Sequence, residues 1–203
     1  IIYNMTDTKD KIHNILIKKG RELVKQKGVD YLTARKLSEA TCYSVGTIYN
    51  QFANMDKFIL EQNMLTLDDL YQSLSKLLPD TNPYKNLNRY VDAFVAFVLN
   101  QPNLWFLLFN FHIRSGYEEF PKVYLRKLLK ITNLWRREFN KVFAKLNAAE
   151  RKVSLQVLWL SMFSLSSFLT LNGLDKMSKV NKKSICKLLL NTYLAGLSVL
   201  KKN

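Results

Sequence analysis

An all-α fold is the expectation for this chain, on three observations. Apolar residues recur at three- and four-residue spacing almost throughout, and the β-branched alternation that marks strands is absent. Only six Gly and four Pro interrupt the 203 residues. At 48% hydrophobic content the chain can bury a substantial core as one large or two small domains, in about nine helices.

Punctuation sets the elements. Residues 1–4 read as a remnant or an upstream start ahead of Met5 and fall outside the expected fold. A first helix runs from about 7 to 27, with Ile12, Ile15, Leu16, Gly20, Leu23 and Val24 on one face, and stops at Gly28. Thr33 can cap a short helix reaching about Ala40, its hydroxyl accepting an otherwise unpaired first-turn N–H. After a tight turn at 41–43, Ser44 starts a second short helix. Two short helices so spaced make a helix-turn-helix. Leu37, Ile48 and Phe52 would face inward, while Ser44, Val45, Thr47, Tyr49 and Asn50 project where recognition helices touch base edges and phosphates. Gly46 lets a neighbouring helix or a sugar-phosphate backbone come close, at about 1 kcal/mol of helix propensity.

Asn54 can cap a long fourth helix whose Leu60, Met64, Leu67, Tyr71, Leu74 and Leu78 form one stripe until Pro79 and Pro83 end it. Pro83 and Pro102 open two further helices, Gly116 breaks the chain, and Pro121 opens a helix to about Leu146. Asn147 followed by Glu150 resembles a capping box, starting a helix to about Gly173, and a last helix spans about 181–200.

The run Thr33, Leu37, Ser38, Ser44, Val45, Gly46, Thr47, Ile48, Tyr49, Phe52 resembles the signature of the TetR family of bacterial transcriptional regulators. The match extends upstream through Leu16, Ile17, Leu23, Val24 and Gly28, and covers about residues 10–60. Cys42 stands where the family has Gly in the turn, so a left-handed backbone there carries strain of about 1 kcal/mol or more. Ser38 and Tyr43 replace Ala and Val, and Met55 replaces a phosphate-touching Lys, leaving Lys57 as the candidate in its stead. The resemblance implies a helix-turn-helix domain over 5–53 and a ligand-binding and dimerisation domain over 54–203. It also implies a regulator, in the first instance a repressor, in a bacterial cytoplasm.

A single short recognition helix reads few base pairs, so the partner expected is a near-palindromic double-stranded DNA operator bound by a homodimer. Thr33, Thr47 and Tyr49 are the candidates for phosphate contact. Arg35, Tyr43, Ser44 and Asn50 are the candidates for base edges. Duller roles stay open: Thr33 as a cap alone, Tyr49 as partly core, Tyr43 as an exposed turn residue.

The net charge of +15 predicts attraction to polyanions that weakens with salt, yet most of the excess lies outside the motif. Residues 1–60 hold ten Lys/Arg against six Asp/Glu, whereas 122–152 alone hold ten against two. A solvated helix face is the plain account of that run.

Residues 153–174 carry no charge but eight polar side chains, and the mean hydropathy of −0.12 speaks against a membrane span. Burial against a second subunit suits that helix better. Ile185, Leu188, Leu189, Tyr193, Leu197 and Leu200 give the last helix a matching stripe, with Ser161, Ser164 and Gly196 permitting close approach. TetR relatives dimerise through their last two helices, which agrees.

An aromatic-rich middle follows the fourth helix. Most of it should be core, but the resemblance implies a pocket for a small, mostly apolar or aromatic effector. Trp105, Phe109, His112, Trp135, Phe139 and Phe163 are its candidate lining, with His112 as a polar handle or as a satisfied core histidine.

Cys42 and Cys186 give neither a disulfide framework nor metal-ligand spacing, and with only two His no metal or cofactor is expected. No phosphate loop or catalytic pairing supports an enzyme. A helical adaptor for protein partners is the alternative function, which leaves the spacing of 44–52 unexplained.

Overall fold

The computed structural model describes residues 2–114, 120–170 and 181–200, and among them lie nine α-helices, one 3-10 turn and no strand. In chain order these are α1 (Ile2–Lys27), the 3-10 turn Val29–Tyr31, α2 (Ala34–Thr41), α3 (Val45–Phe52) and α4 (Met55–Ser75). Then come α5 (Pro83–Asn100), α6 (Pro102–Arg114), α7 (Lys122–Val142), α8 (Ala148–Phe168) and α9 (Lys182–Leu200). Gly116 and Gly173, expected as breaks, lie outside the described residues.

Packing divides the chain into two compact units, residues 1–66 with 101–120 and residues 67–100 with 121–203. This cut differs from a boundary at 53–54. The first half of α4 and all of α6 pack with the helix-turn-helix.

The core of the first unit gathers Leu16 and Val24 of α1, Leu32, Leu37 of α2, Ile48 and Phe52 of α3, Phe58 of α4, and Leu104 and Leu107 of α6. Gly20 has a steric reason. A Cβ there would stand 2.3 Å from Phe58 Cζ, and Phe58 is fully buried. Polar contacts finish the same seam: Gln62 Nε2 donates to the Ile17 carbonyl at 2.8 Å, and Arg21 Nη1 to Thr66 Oγ1 at 3.0 Å. Asn103 Nδ2 reaches the Lys25 carbonyl at 3.0 Å and ties α6 to the end of α1.

In the second unit α5 packs on α7 and α9, and α8 on α7 and α9. Trp135 sits at the centre of an aromatic group with Tyr90, Phe94 and Trp159 at 5.9–6.2 Å between ring centroids. Beside them is the buried Glu138 carboxylate. It accepts from Asn86 Nδ2, Arg137 Nε and Lys141 Nζ, each at 3.0 Å. Asn86 also holds both backbone groups of Asp80, at 2.7 and 2.8 Å, so one buried anion pins the turn before α5 to α7.

Several expectations needed correction. α1 begins at Ile2, because nothing among residues 2–6 breaks a helix. Ile15 is 46% exposed, as its position about 100° around the helix from Leu16 dictates. α4 stops at Ser75 and leaves Leu78 78% exposed. There Pro79 disfavours a helical Leu78, and Arg89 takes the Leu78 carbonyl at 2.5 Å. α7 ends at Val142, short of Leu146, where Arg151 claims the Ala144 and Leu146 carbonyls. α8 ends at Phe168, where the Ser167 and Thr170 hydroxyls bond the carbonyls of Phe163 and Ser167 at 2.7 Å and compete with the helix ladder. On α9 Cys186, Leu190 and Leu194 face the subunit's own core, and the stripe expected to meet a second copy lies beside them. Leu188 of that stripe is 68% exposed, while Ile185, Leu189, Tyr193 and Leu197 are half-buried.

Candidate nucleic-acid interface

Two caps and a strained turn build the helix-turn-helix. Thr33 Oγ1 accepts from the Lys36 N–H at 3.1 Å and starts α2. Ser44 Oγ accepts from the Thr47 N–H at 3.0 Å and starts α3, with the Thr47 hydroxyl 2.9 Å away. Between them Cys42 adopts the left-handed conformation (φ 59°, ψ 14°) while its N–H closes α2 on the Ser38 carbonyl. The Ser38 hydroxyl then donates to the Tyr43 carbonyl at 2.6 Å, a bond alanine could not make.

A second strained residue ends α3. Ala53 has φ 64° and ψ −43°, and the Asn54 N–H bonds the Phe52 carbonyl across it at 2.8 Å. That is a γ-turn of positive φ, the rare and strained kind. Asn54 Oδ1 then caps α4 through the Lys57 N–H at 2.9 Å.

These turns aim α3. Ile48 and Phe52 are buried, while Ser44, Val45, Gly46, Tyr49 and Asn50 form its exposed face, with Thr47 half-buried at the edge. Tyr49 is 43% exposed, so it is only partly core. Gly46 meets no neighbouring helix, since a Cβ there would find only Ser44 Oγ, at 3.6 Å. Packing within the chain therefore does not require a glycine at this position. Tyr43 is half-buried against the core of the first unit rather than freely exposed. Arg35 is exposed and shares Glu39 with Lys36, at 3.2 and 2.7 Å; these hydrogen bonds hold the Glu39 carboxyl below its usual range. Lys57 is exposed one turn into α4.

Sequence reasoning missed a link behind this face. His13 Nε2 is 2.8 Å from Glu61 Oε2, and its ring lies 4.6 Å from that of Phe52, so α1 and α4 grip the end of α3. The half-polar spacing of His13 on α1 gave no signal of it.

The candidate effector residues divide between the units. In the first, Trp105 is buried in α6, Phe109 is half-buried, and His112 Nδ1 donates to the Leu108 carbonyl at 2.8 Å with its ring 5.2 Å from Phe120. In the second, Trp135 and Phe139 are fully buried and Phe163 lies 6.5 Å from Trp159. The Trp135 indole N–H has no acceptor among the described residues.

A capped, exposed helix on a buried root, with only helices among the described residues, defines a helix-turn-helix protein. More particularly, residues 16–61 match the family model for bacterial regulatory proteins of the tetR family, and the fold resembles that of solved TetR-family regulators over most of the chain. A possible TetR family transcriptional regulator from Streptomyces coelicolor A3(2) superposes with a TM-score of 0.70 at 13% identity, over 93% of this chain and 99% of that one. BioQ, solved with its double-stranded DNA operator, gives 0.63 at 13% identity over 89% and 96%. RolR, solved with resorcinol, gives 0.66 at 14% identity over 94% and 89%. At these identities the likeness is one of fold. No curated protein matches the chain in sequence. Among the described residues, no single helix is long and apolar enough to cross a membrane.

Proposed function

We propose that this chain is a DNA-binding transcriptional regulator, a repressor that reads a near-palindromic operator as a homodimer and leaves it when a small, largely apolar effector binds. The exposed outer face of α3 carries the reading. Ser44, Val45, Gly46, Tyr49 and Asn50 project from a helix whose root is locked, and a tip of that kind suits the major groove. The solved complex of BioQ with its operator supports the same use of the fold. Residues 5–53 hold the reading function. Thr33, Thr47, Tyr49 and Lys57 are assigned to phosphates; Arg35, Tyr43, Ser44 and Asn50 to base edges. The Arg35 pair with Glu39 is exposed and releases the guanidinium at little cost.

Dimerisation is supported by a stripe on α8. Val153, Val157, Leu160 and Phe168 are 61%, 45%, 44% and 52% exposed, and a second copy would cover them. For the effector, the RolR complex and the unpaired Trp135 indole N–H support an aromatic site with a polar point. α6 supplies a short path to the DNA face, because Leu104 and Leu107 share the core of α3 while Trp105, Phe109 and His112 lie on the same helix. A ligand that shifts α6 therefore changes the population of reading heads, by no more than its differential affinity for the two states.

The test is a gel shift with duplexes drawn from the DNA flanking its own gene. One duplex should be retained at protein concentrations where scrambled sequence runs free. Equal retention of both would defeat the reading.

A further inference from the structure

The basic run at 122–152 is not used by any role assigned above. In the structure six of its ten cations line one face of α7. Lys122, Arg126, Lys130, Arg136, Arg137 and Lys141 are all exposed and fall within a sector of about 140° at 100° per residue. Asn133 and Asn140 occupy the same sector, and the one acid on the helix, Glu138, is buried on its other side with a side chain 1% exposed. Glu138 engages Arg137 and Lys141, and Lys130 stands 5.9 Å over the Tyr71 ring. Lys122, Arg126 and Arg136 have no acidic partner among the described residues.

We infer that this face of α7 is a sequence-independent binding surface for the phosphate backbone of a nucleic acid. The stripe runs about 28 Å, from 122 to 141 at 1.5 Å per residue, and carries six cations with no exposed anion between them. A duplex presents a negative charge about every 1.7 Å of its axis, so an unbroken row of cations meets a row of phosphates. The two asparagines add neutral donors that phosphate oxygens accept. An anionic bilayer fits less well. Only Val123 and Leu129 give this face apolar surface, at 42% and 55% exposure, and stable adsorption needs a buried apolar stripe as well as charge. The inference does not rest on operator recognition by α3.

The experiment measures binding of the full chain to a duplex of scrambled sequence, several turns long, across a salt series. Neutralising Lys122→Gln, Arg126→Gln and Arg136→Gln together should lower the slope of log K against log salt by about 2 to 3, and each alone by about 1. All three side chains are exposed, so the melting temperature should hold. Neutralising Lys145, Lys152 and Lys183, also exposed but off this face, should change the slope far less. The inference is overturned if the α7 variant keeps the parent slope. It is also overturned if the control set loses as much, since net charge alone would then account for binding. Loss of binding to phosphatidylserine vesicles with duplex binding intact would assign the face to membranes instead.

Discussion

The two units of this chain are held by different means. In the first, single residues have single geometric jobs: Thr33, Ser44 and Asn54 cap, Cys42 and Ala53 turn, and Gly20 makes room for Phe58. The second rests on aromatic mass around Trp135 and on one buried carboxylate that gathers three donors. The difference teaches where sensitivity lies. A unit built on single capping and turning residues is exposed to changes of one atom, whereas a packed body spreads such changes over many contacts.

The largest expected effect breaks the head through its tightest contact. Gly20→Val would push branched carbons into the Phe58 ring, which cannot retreat because it packs edge-on against Phe52 at 4.8 Å. Overpacking of this kind costs about 1–3 kcal/mol. Thermal or urea unfolding should show the loss, and adding Phe58→Leu should recover part of it. Additive losses in the double variant would mean that the contact is not the cause.

Acid should separate the units. Burial pushes the His112 imidazole below its ordinary value, with its bond to Leu108 only partly offsetting this. A histidine neutral when folded and charged when unfolded gives stability that is complete above about pH 6.5 and lost as pH falls below it. For Glu138 burial pulls upward, but hydrogen bonds from Asn86, Lys141 and Arg137 outweigh it and hold the carboxyl low. That stabilisation is complete above about pH 4.3 and fades as pH drops through the folded value. Because Arg137 and Lys141 are more than half exposed, it amounts to about 1 kcal/mol, chiefly from Asn86. Hydrogen exchange should therefore show α6 losing protection at milder acidity than α7. His112→Phe should abolish the first step and Glu138→Gln the second. Simultaneous loss in both units would contradict the separation.

The same contrast explains what could be read from residues alone. Helix order, the two short helices and their caps were legible, because Thr33, Ser44, Asn54 and Asn147 act on N–H groups within three residues of themselves. The exposed tip of α3 was legible for the same reason. Which face α9 turns inward was not, since Ile185 and Cys186 are both apolar and only the packing of α5 and α8 selects Cys186. Nor was the place of α6, because its packing on α1 and its share in the core with Leu16, Val24 and Ile48 span long stretches of chain that periodicity does not relate. Ser38 shows the limit from the other side. Its replacement of the alanine of the TetR signature carried no reason in the sequence, and its bond to the Tyr43 carbonyl supplies one.

A smaller effect of opposite sign tests the turns. Cys42 and Ala53 both sit at positive φ, where a Cβ costs about 1 kcal/mol, so Cys42→Gly and Ala53→Gly should each stabilise the head by about that amount, less the entropy glycine adds to the unfolded chain. A fall in the melting temperature of either variant would show that the strain is not what these positions feel.

The finest cut separates folding from recognition at a single atom. Gly46→Ala adds one methyl on the exposed side of α3, where the nearest atom is Ser44 Oγ at ordinary contact distance, 3.6 Å. Within the chain nothing objects, and helix propensity gains at most about 1 kcal/mol, less near the first turn. The variant should melt no lower than its parent. On an operator the same methyl stands between α3 and whatever backbone approaches it, so affinity should fall on specific and scrambled duplexes alike. Stability gained while binding is lost cannot come from a damaged fold, which makes this the sharpest available evidence that α3 meets DNA at Gly46; binding unchanged by the methyl would move the point of contact along the helix, towards Tyr49 and Asn50.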